Sequence, residues 1–546
     1  MENKVNHSDS ILDEFETTEI AQWMALVKSQ LKGASIEERL VSQTPETIAV
    51  QPIYFTGKDP VTEKTASYPG EFPFTRGSTA AEYYAQPCIT GINLKSDSID
   101  KLNQILKHLP KRKKSLFHLT SGVPAIDLNS LSGLFDGLDI GSWSFCLDAG
   151  EDTIPQFGLF SAHPATSQRS GTIISDPYSR LLTSGKSNHI DRELNLLSDL
   201  MSFRGEQAPH WKVLGIDARV YHESGGTTVQ ELAFSIATAV EYLRNLFERG
   251  HSFNEIINQV HFNFATGSDF FMEIAKYRCI RALWAIVTKS FGITSGNQLR
   301  VNAFTSQWNK TLYDPHLNAL RTTTESLSAI LGGCNTLIVS AFDALTEESN
   351  QLSARLAQNT PYIITEESFC HKVLDPGGGS GMIESLTDQL GQKAWALFQE
   401  IEQIGGLIKA AKKGKIQDLI RCSAIEKVEA LTKQSKISVG TNRFQDTTEL
   451  AKSIYQLKPN TPRSATDSNF IAAILAELAE QLPDSLQSRE WFRTVVKAFK
   501  KGATSFEISA VLNQTPDSAL KSFSVTPLHI FRCSEKVEHL RKENKQ

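Results

Sequence analysis

VLGIDARVY (213–221), TVQELAFSIATAVEYLRNLFE (228–248), VHFNFA (260–265), DFFMEIAKYRCIRALWAIVTKS (269–290) and RVNAF (300–304) follow one another through the middle of the chain. The short runs are β-branched and aromatic and of strand length, whereas the long ones repeat apolar residues at helical spacing. Strand and helix therefore alternate, which is the pattern of a parallel sheet joined by crossover helices. The alternation extends in both directions, with further strand candidates at Ser115 to Leu119, Ser142 to Leu147, Gly171 to Ile174, Thr336 to Ala341 and Tyr362 to Thr365, and another helix from Asn318 to Leu331. Eight such units in roughly 290 residues predict an α/β fold of the (β/α)8 TIM-barrel type. A doubly wound sheet would show about five to seven strands and a Gly-rich phosphate turn after the first.

The flanks do not continue the pattern. Residues 1–80 read as an arm, with one amphipathic helix from Thr18 to Gly33 that spaces Ile20, Trp23, Met24, Val27 and Leu31 helically, followed by chain punctuated at Pro52, Pro60, Pro69 and Pro73. So short a segment cannot enclose a core, so its apolar stripe must be covered by the body or by a partner subunit. The barrel is expected over 81–430. Beyond it, 431–546 reads as a belt rich in Ser, Thr, Lys and Pro, then helices at Phe470 to Gln481 and Arg489 to Lys500 and a polar tail.

Composition narrows the class. The 546 residues are 40% hydrophobic and 21% charged, with a net charge of -5, which excludes a disordered chain and a nucleic-acid clamp. No apolar run reaches the roughly 20 residues of a bilayer span and the N-terminus has no signal-peptide core, so the expected location is the cytoplasm. The seven cysteines (Cys88, Cys146, Cys279, Cys334, Cys370, Cys422, Cys533) stand singly and odd in number, without the pairing of a zinc ribbon or a disulfide framework.

Fragments that imitate binding motifs fail on spacing. Ser184-Gly185-Lys186-Ser187 ends like a phosphate loop, but Arg180 stands where that loop needs its first Gly. Asp375-Pro376-Gly377-Gly378-Gly379-Ser380-Gly381 lacks the dinucleotide spacing and reads as a tight loop with a Ser cap. His222-Glu223 has no second His at helical spacing, so no metal site is expected. Lys111-Arg112-Lys113-Lys114 reads as a solvated connection.

Longer strings carry more information. Leu31-Lys32-Gly33-Ala34, Phe72-Pro73-Phe74-Thr75-Arg76-Gly77, Phe270 to Lys276 with Arg278, Arg281 and Trp284, Thr305-Ser306-Gln307-Trp308, Asn318 to Thr322, Phe342-Asp343-Ala344-Leu345, Ser353-Ala354-Arg355, Asn359-Thr360, Glu367-Ser368, Asp375-Pro376 and Gly405-Gly406 occur in an order that resembles the barrel subunit of the adenosylcobalamin-dependent methylmalonyl-CoA mutases. The resemblance covers most of the chain, and the arm, with Trp23 ahead of Leu31-Lys32-Gly33, looks like that of the small, non-catalytic subunit of the heterodimeric enzymes.

In that family a cofactor-derived radical rearranges the acyl-CoA thioester inside the barrel, and the protein supplies position and polarity. Two departures stand out. The nearest string to the family's cobalt-binding D-x-H-x-x-G is Asp314-Pro315-His316-Leu317-Asn318-Ala319, with Ala in place of the Gly and inside a barrel repeat, so no cobalamin-binding domain is expected. The polar groups that the catalytic subunits aim at the thioester are also replaced. The resemblance puts Arg219 and Val220 at the Tyr-His after the fourth strand, Ile174 at a Gln, Tyr313 at a Gln, and Asn93 at the active-site Tyr. Val and Ile cannot donate to a developing oxyanion, and losing one such donor typically costs about 3 to 4 kcal/mol. The resemblance thus implies a chain with no catalytic, cofactor-binding or metal residues of its own, its barrel filled at Asn93, Ile174, Val220 and Tyr313. It further implies a large catalytic subunit as partner, holding adenosylcobalamin and met through Trp23, Leu31 and Arg76. The alternatives are a catalytic barrel of a split mutase of the isobutyryl-CoA type with a separate cobalamin protein, and a non-enzymatic scaffold.

Overall fold

The computed structural model of the chain describes residues 19–54, 67–79, 89–94, 98–108, 115–120, 127–186, 190–293, 299–345, 351–446, 469–484, 491–514 and 523–543. Cys88, the basic run 111–114, Ser187, the belt from 447 to 467 and the last three residues lie outside them.

Eight parallel strands close in sequence order: β1 (Ile89–Leu94), β2 (Ser115–Thr120), β3 (Trp143–Asp148), β4 (Ser170–Ile173), β5 (Trp211–Lys212 and Leu214–Asp217, broken at Val213), β6 (Val260–Thr266), β7 (Arg300–Thr305) and β8 (Thr336–Ile338). β4 pairs with the first piece of β5 and β6 with the second, while β8 pairs back onto β1, so the sheet is a TIM barrel with no free edge. The helices that follow the strands are set by local signals. Thr227 Oγ1 accepts from the Gln230 amide at 3.3 Å and Gln230 Oε1 accepts from the Thr227 amide at 3.0 Å, boxing the start of the Thr228–Glu248 helix. Asp269 caps the Phe270–Ser290 helix through the Met272 amide.

Two strand boundaries differ from the expectation. Tyr362 to Thr365 is not a strand: it ends the Gln351–Tyr362 helix and enters a π turn over Ile363–Glu367. Its β-branched content reads as strand, but Pro361 lies inside that helix and the turn after it closes with Thr365 Oγ1 donating to the Pro361 carbonyl at 2.9 Å. The place in the barrel belongs instead to Ile89–Leu94, which is not among the strand candidates. A Cβ on Gly91 would stand 2.3 Å from Ile338 Cγ1, so the glycine is what lets β1 and β8 close the barrel. The run Val213 to Tyr221 is strand only to Asp217, and the Arg219–Glu223 segment turns helical.

The main core lies between the strands and the surrounding helices. The C-terminal helices cover one side: Phe492 of the Trp491–Lys500 helix stacks on Phe157 at 5.5 Å and meets Phe203 at 4.7 Å. The segment 523–543 then returns over the C-terminal end of the strands, where the Cys533 amide donates to the Trp308 carbonyl at 2.9 Å and Glu538 accepts from the Leu312 amide at 2.9 Å. In the arm, the observed helix is Ile20–Gln30, and none of its residues is fully buried.

Candidate functional site

The functional end of a TIM barrel is the rim formed by the C-terminal ends of its strands. Here that mouth is spanned by one side chain. Asp217 ends β5 and turns the chain by accepting the Arg219 amide on Oδ1 at 3.3 Å, and the same carboxylate holds the Arg219 guanidinium through Nε at 2.6 Å and Nη2 at 2.8 Å. Nη1 reaches Asp148 Oδ2, at the end of β3, at 2.8 Å. Asp148 also pairs with His118 Nε2 of β2 at 3.0 Å, and the guanidinium lies 4.4 Å over the ring of Phe304 from β7. Three strands, β2, β3 and β5, are thus tied together at the opening by a His118–Asp148–Arg219–Asp217 chain whose side chains are 5%, 16%, 19% and 16% exposed.

The electrostatics follow from burial and pairing. Burial pushes the Asp148 carboxyl up, but the Arg219 guanidinium and the His118 bond outweigh it and hold the group well below the usual carboxylate range. Arg219 is raised despite its burial by Asp148 and Asp217. Beneath the mouth, burial and then the Asp148 charge push the Cys146 thiol up to about 12, so it is an inert core thiol.

Below this ionic layer the barrel interior is oily. Leu116, Cys146, Ile174, Phe304 and Ile338 form a closed cluster with Ile89 at its edge, separate from the main core. Lateral register carries Ile338, Gly91, Leu116 and Ser144 around one level and Asn93, His118 and Cys146 around the next. Further down, burial and Lys212 push the His261 imidazole down to about 3, leaving it neutral.

The four positions read as degenerate are not brought together. Ile174, just past β4, sits in the inner cluster. Val220 points into the outer core between barrel and helices. Tyr313 is buried in the loop after β7, where Arg541 of the Glu535–Glu543 helix stacks on it at 4.0 Å. Asn93 lies on β1 opposite His118, its side chain outside the described residues. Of the arm residues, Trp23 and Leu31 are half-buried, and Arg76 donates to Asp375 Oδ2 at 2.9 Å, a carboxylate that also holds the fully buried Arg278.

A second charged cluster backs the mouth. Lys276 Nζ donates to Glu231 Oε2 at 3.0 Å and to the Ala265 carbonyl at 2.6 Å, and pairs with Glu273 at 2.6 Å. Despite burial, Lys276 and His222 hold Glu231 below its ordinary range, whereas burial leaves Glu273 raised. His222 Nε2 is 2.9 Å from Ser306 Oγ. Among the described residues no group of three His, Cys, Asp or Glu is placed to hold a metal ion, and no helix is long and apolar enough to cross a membrane.

Sequence reasoning placed Arg219 at a family Tyr but missed that it bridges the mouth; Asp148, His118 and Asp217 went unremarked. The available signal was that Asp148 sits one residue beyond a predicted strand, and a TIM barrel gathers strand ends at one rim.

A family model described as methylmalonyl-CoA mutase matches residues 119–518. The chain is 30% identical over 457 residues to a methylmalonyl-CoA mutase small subunit of Porphyromonas gingivalis, which covers 81% of this chain and 72% of that protein. It is 32% identical over 455 residues to a methylmalonyl-CoA mutase small subunit of Streptomyces virginiae, with the same shares, and 29% identical over 478 residues to a methylmalonyl-CoA mutase of Rhizobium meliloti, covering 82% and 67%. With a barrel of eight parallel strands, and with the family model matched over most of its length, this chain belongs to the methylmalonyl-CoA mutase family.

Proposed function

We propose that this chain is the non-catalytic subunit of a heterodimeric methylmalonyl-CoA mutase, whose large subunit holds adenosylcobalamin and interconverts methylmalonyl-CoA and succinyl-CoA. The carrying observation is the Arg219 bridge. A thioester reaching the reacting centre through the barrel would have to pass a guanidinium committed to two carboxylates, above a cluster of Leu116, Ile174, Phe304 and Ile338 packed where a chain would thread. Opening that bridge strands two carboxylates, which is expensive in a partly desolvated site.

The residues present do not fit the cofactor either. Adenosylcobalamin would have to face the barrel mouth, and the mouth is spanned by Arg219. His316, in the string nearest the cobalt-binding signature, has its ring 5.0 Å from that of Phe342 in the loop after β8. No step of the reaction is therefore assigned to this chain.

The similarity to small subunits and the chain's uncovered apolar surface support the partner role. The Ile20–Gln30 helix has no fully buried residue, and its apolar stripe at Ile20, Trp23, Met24 and Val27 is half-buried. A second apolar face runs along the Gln351–Tyr362 helix and the turn after it, with Leu352 63%, Leu356 45%, Ile363 51%, Phe369 59% and Val373 60% exposed. Large side chains clustered in this way mark a protein interface. The test is co-expression with a large mutase subunit: a stable 1:1 complex on sizing supports the reading, and failure of the two to associate overturns it.

A further inference from the structure

A cavity of about 420 Å3 opens beside the mouth, outside the barrel, between the loops after β5, β6 and β7, the arm turn at Pro45 and Glu46, and the Lys415–Thr432 helix. It belongs neither to the barrel axis nor to the exposed apolar faces. Three cations line it: Arg321, Lys427 and Lys436, grouped about the buried Cys533. Among the described residues none of the three has a carboxylate within 4.0 Å. Lys427 Nζ donates to the Gly226 carbonyl at 2.6 Å and lies 5.9 Å from the centre of the Trp308 ring. Arg321 donates to Thr311 Oγ1 at 2.9 Å, Asn318 Oδ1 at 2.8 Å and the Val439 carbonyl at 2.7 Å, all neutral.

Arg321 and Lys427 are half-buried and feel carboxylates only at a distance, so neither has the direct ion partner that offsets the burial of a charge, while Lys436 is exposed. The cavity does contain carboxylates, none of them in a direct ion pair with the three cations, although Glu46 keeps one buried oxygen without a hydrogen-bond partner and its charge favours protonated Lys427. Glu46 Oε1 takes the Thr228 amide at 3.0 Å, Asp269 caps a helix, and Glu273 holds both the Gly267 amide at 3.0 Å and Lys276. The apolar part of the wall is formed by Trp308, Leu317, Leu320 and Leu431.

We propose that this cavity binds a short-chain aliphatic monocarboxylate, its carboxylate between Lys427 and Arg321 and its hydrocarbon body along Trp308 and Leu431. One feature favours a monocarboxylate over a phosphate: Glu46 and Asp269 on the arm side oppose a second negative charge. Burial also lowers the Lys427 amine to about 8, and an anion bound beside it would raise it again. Ser423 Oγ donates to the Gly225 carbonyl at 3.1 Å beside the Lys427 bond, so a carboxylate here would clamp the Lys415–Thr432 helix to the loop after β5.

Calorimetric titration of the full chain with butyrate, butyramide and inorganic phosphate tests this. Butyrate should bind saturably at one site per chain, with butyramide and phosphate weaker by about tenfold or more, the loss expected for one charge-assisted hydrogen bond. Lys427→Met should weaken butyrate by a similar factor. Lys436→Met, at the exposed edge, guards against a folding defect and should weaken it less. Equal binding of butyrate and butyramide, equal binding of phosphate, binding undiminished in folded Lys427→Met, or no saturable binding of any probe would each overturn the proposal.

Discussion

Replacing Arg219 by Met removes the guanidinium that spans the mouth while keeping most of the side chain's apolar bulk. The wild-type guanidinium makes two bonds to Asp217 and one to Asp148, and both carboxylates are only 16% exposed. Breaking a buried pair from one side typically destabilises by about 3 to 5 kcal/mol. Residual solvent at the mouth places this site near the lower end, about 3 kcal/mol. The loss also carries a pH signature. In the parent, Asp148 is held below its unfolded value, so its contribution is present above about pH 4 and fades as acid protonates the unfolded carboxyl. In the variant, burial dominates and raises Asp148, so protonation in the folded state relieves the penalty, and the gap between the proteins narrows as the pH falls from 7.5 toward 5. Urea unfolding followed by circular dichroism at both values measures this directly. Combining Arg219→Met with Asp148→Asn and Asp217→Asn should recover much of the stability. A variant as stable as the parent at pH 7.5, or an equal gap at both values, would refute the reasoning.

Gly91→Ala places a methyl 2.3 Å from Ile338 Cγ1 and should destabilise by about 2 kcal/mol or more, read as a lowered thermal midpoint. Lys276→Met leaves the buried Glu231 and Glu273 without their shared cation and should lower stability by about 3 to 5 kcal/mol in urea unfolding. Leu356→Glu, on an exposed face, should change the stability of the isolated chain by less than about 0.5 kcal/mol yet weaken association with the large subunit by about 2 kcal/mol, measured by titration calorimetry.

Much of the fold was legible because the alternation of strand and helix is a repeated local signal. The Thr228–Glu248 helix falls on its expected boundaries, and the Phe270–Ser290 helix within one residue of them. Failures arose where a tertiary requirement overrides a local one. The run around Gly91 is not among the strand candidates, and its glycine is needed because Ile338 fills the space a Cβ would take, while Tyr362 to Thr365 looks like a strand until Pro361 and its π turn are seen. The family's altered polar positions could be read one residue at a time, but what closes the mouth could not. Arg219, Asp148 and His118 lie 30 or more residues apart in sequence and meet only because closure brings the ends of β2, β3 and β5 to one rim. Of the positions expected to fill the barrel, Ile174 lies in the inner apolar cluster, Val220 and Tyr313 lie elsewhere, and the level above Ile174 is ionic.

The claim that most needs testing is that the barrel of this chain does no chemistry. Isomerisation of methylmalonyl-CoA should be followed with the isolated chain, saturating adenosylcobalamin and an added cobalamin-binding protein, beside the same chain paired with a large mutase subunit. The account predicts succinyl-CoA from the paired sample alone, and succinyl-CoA formed by the isolated chain would contradict it.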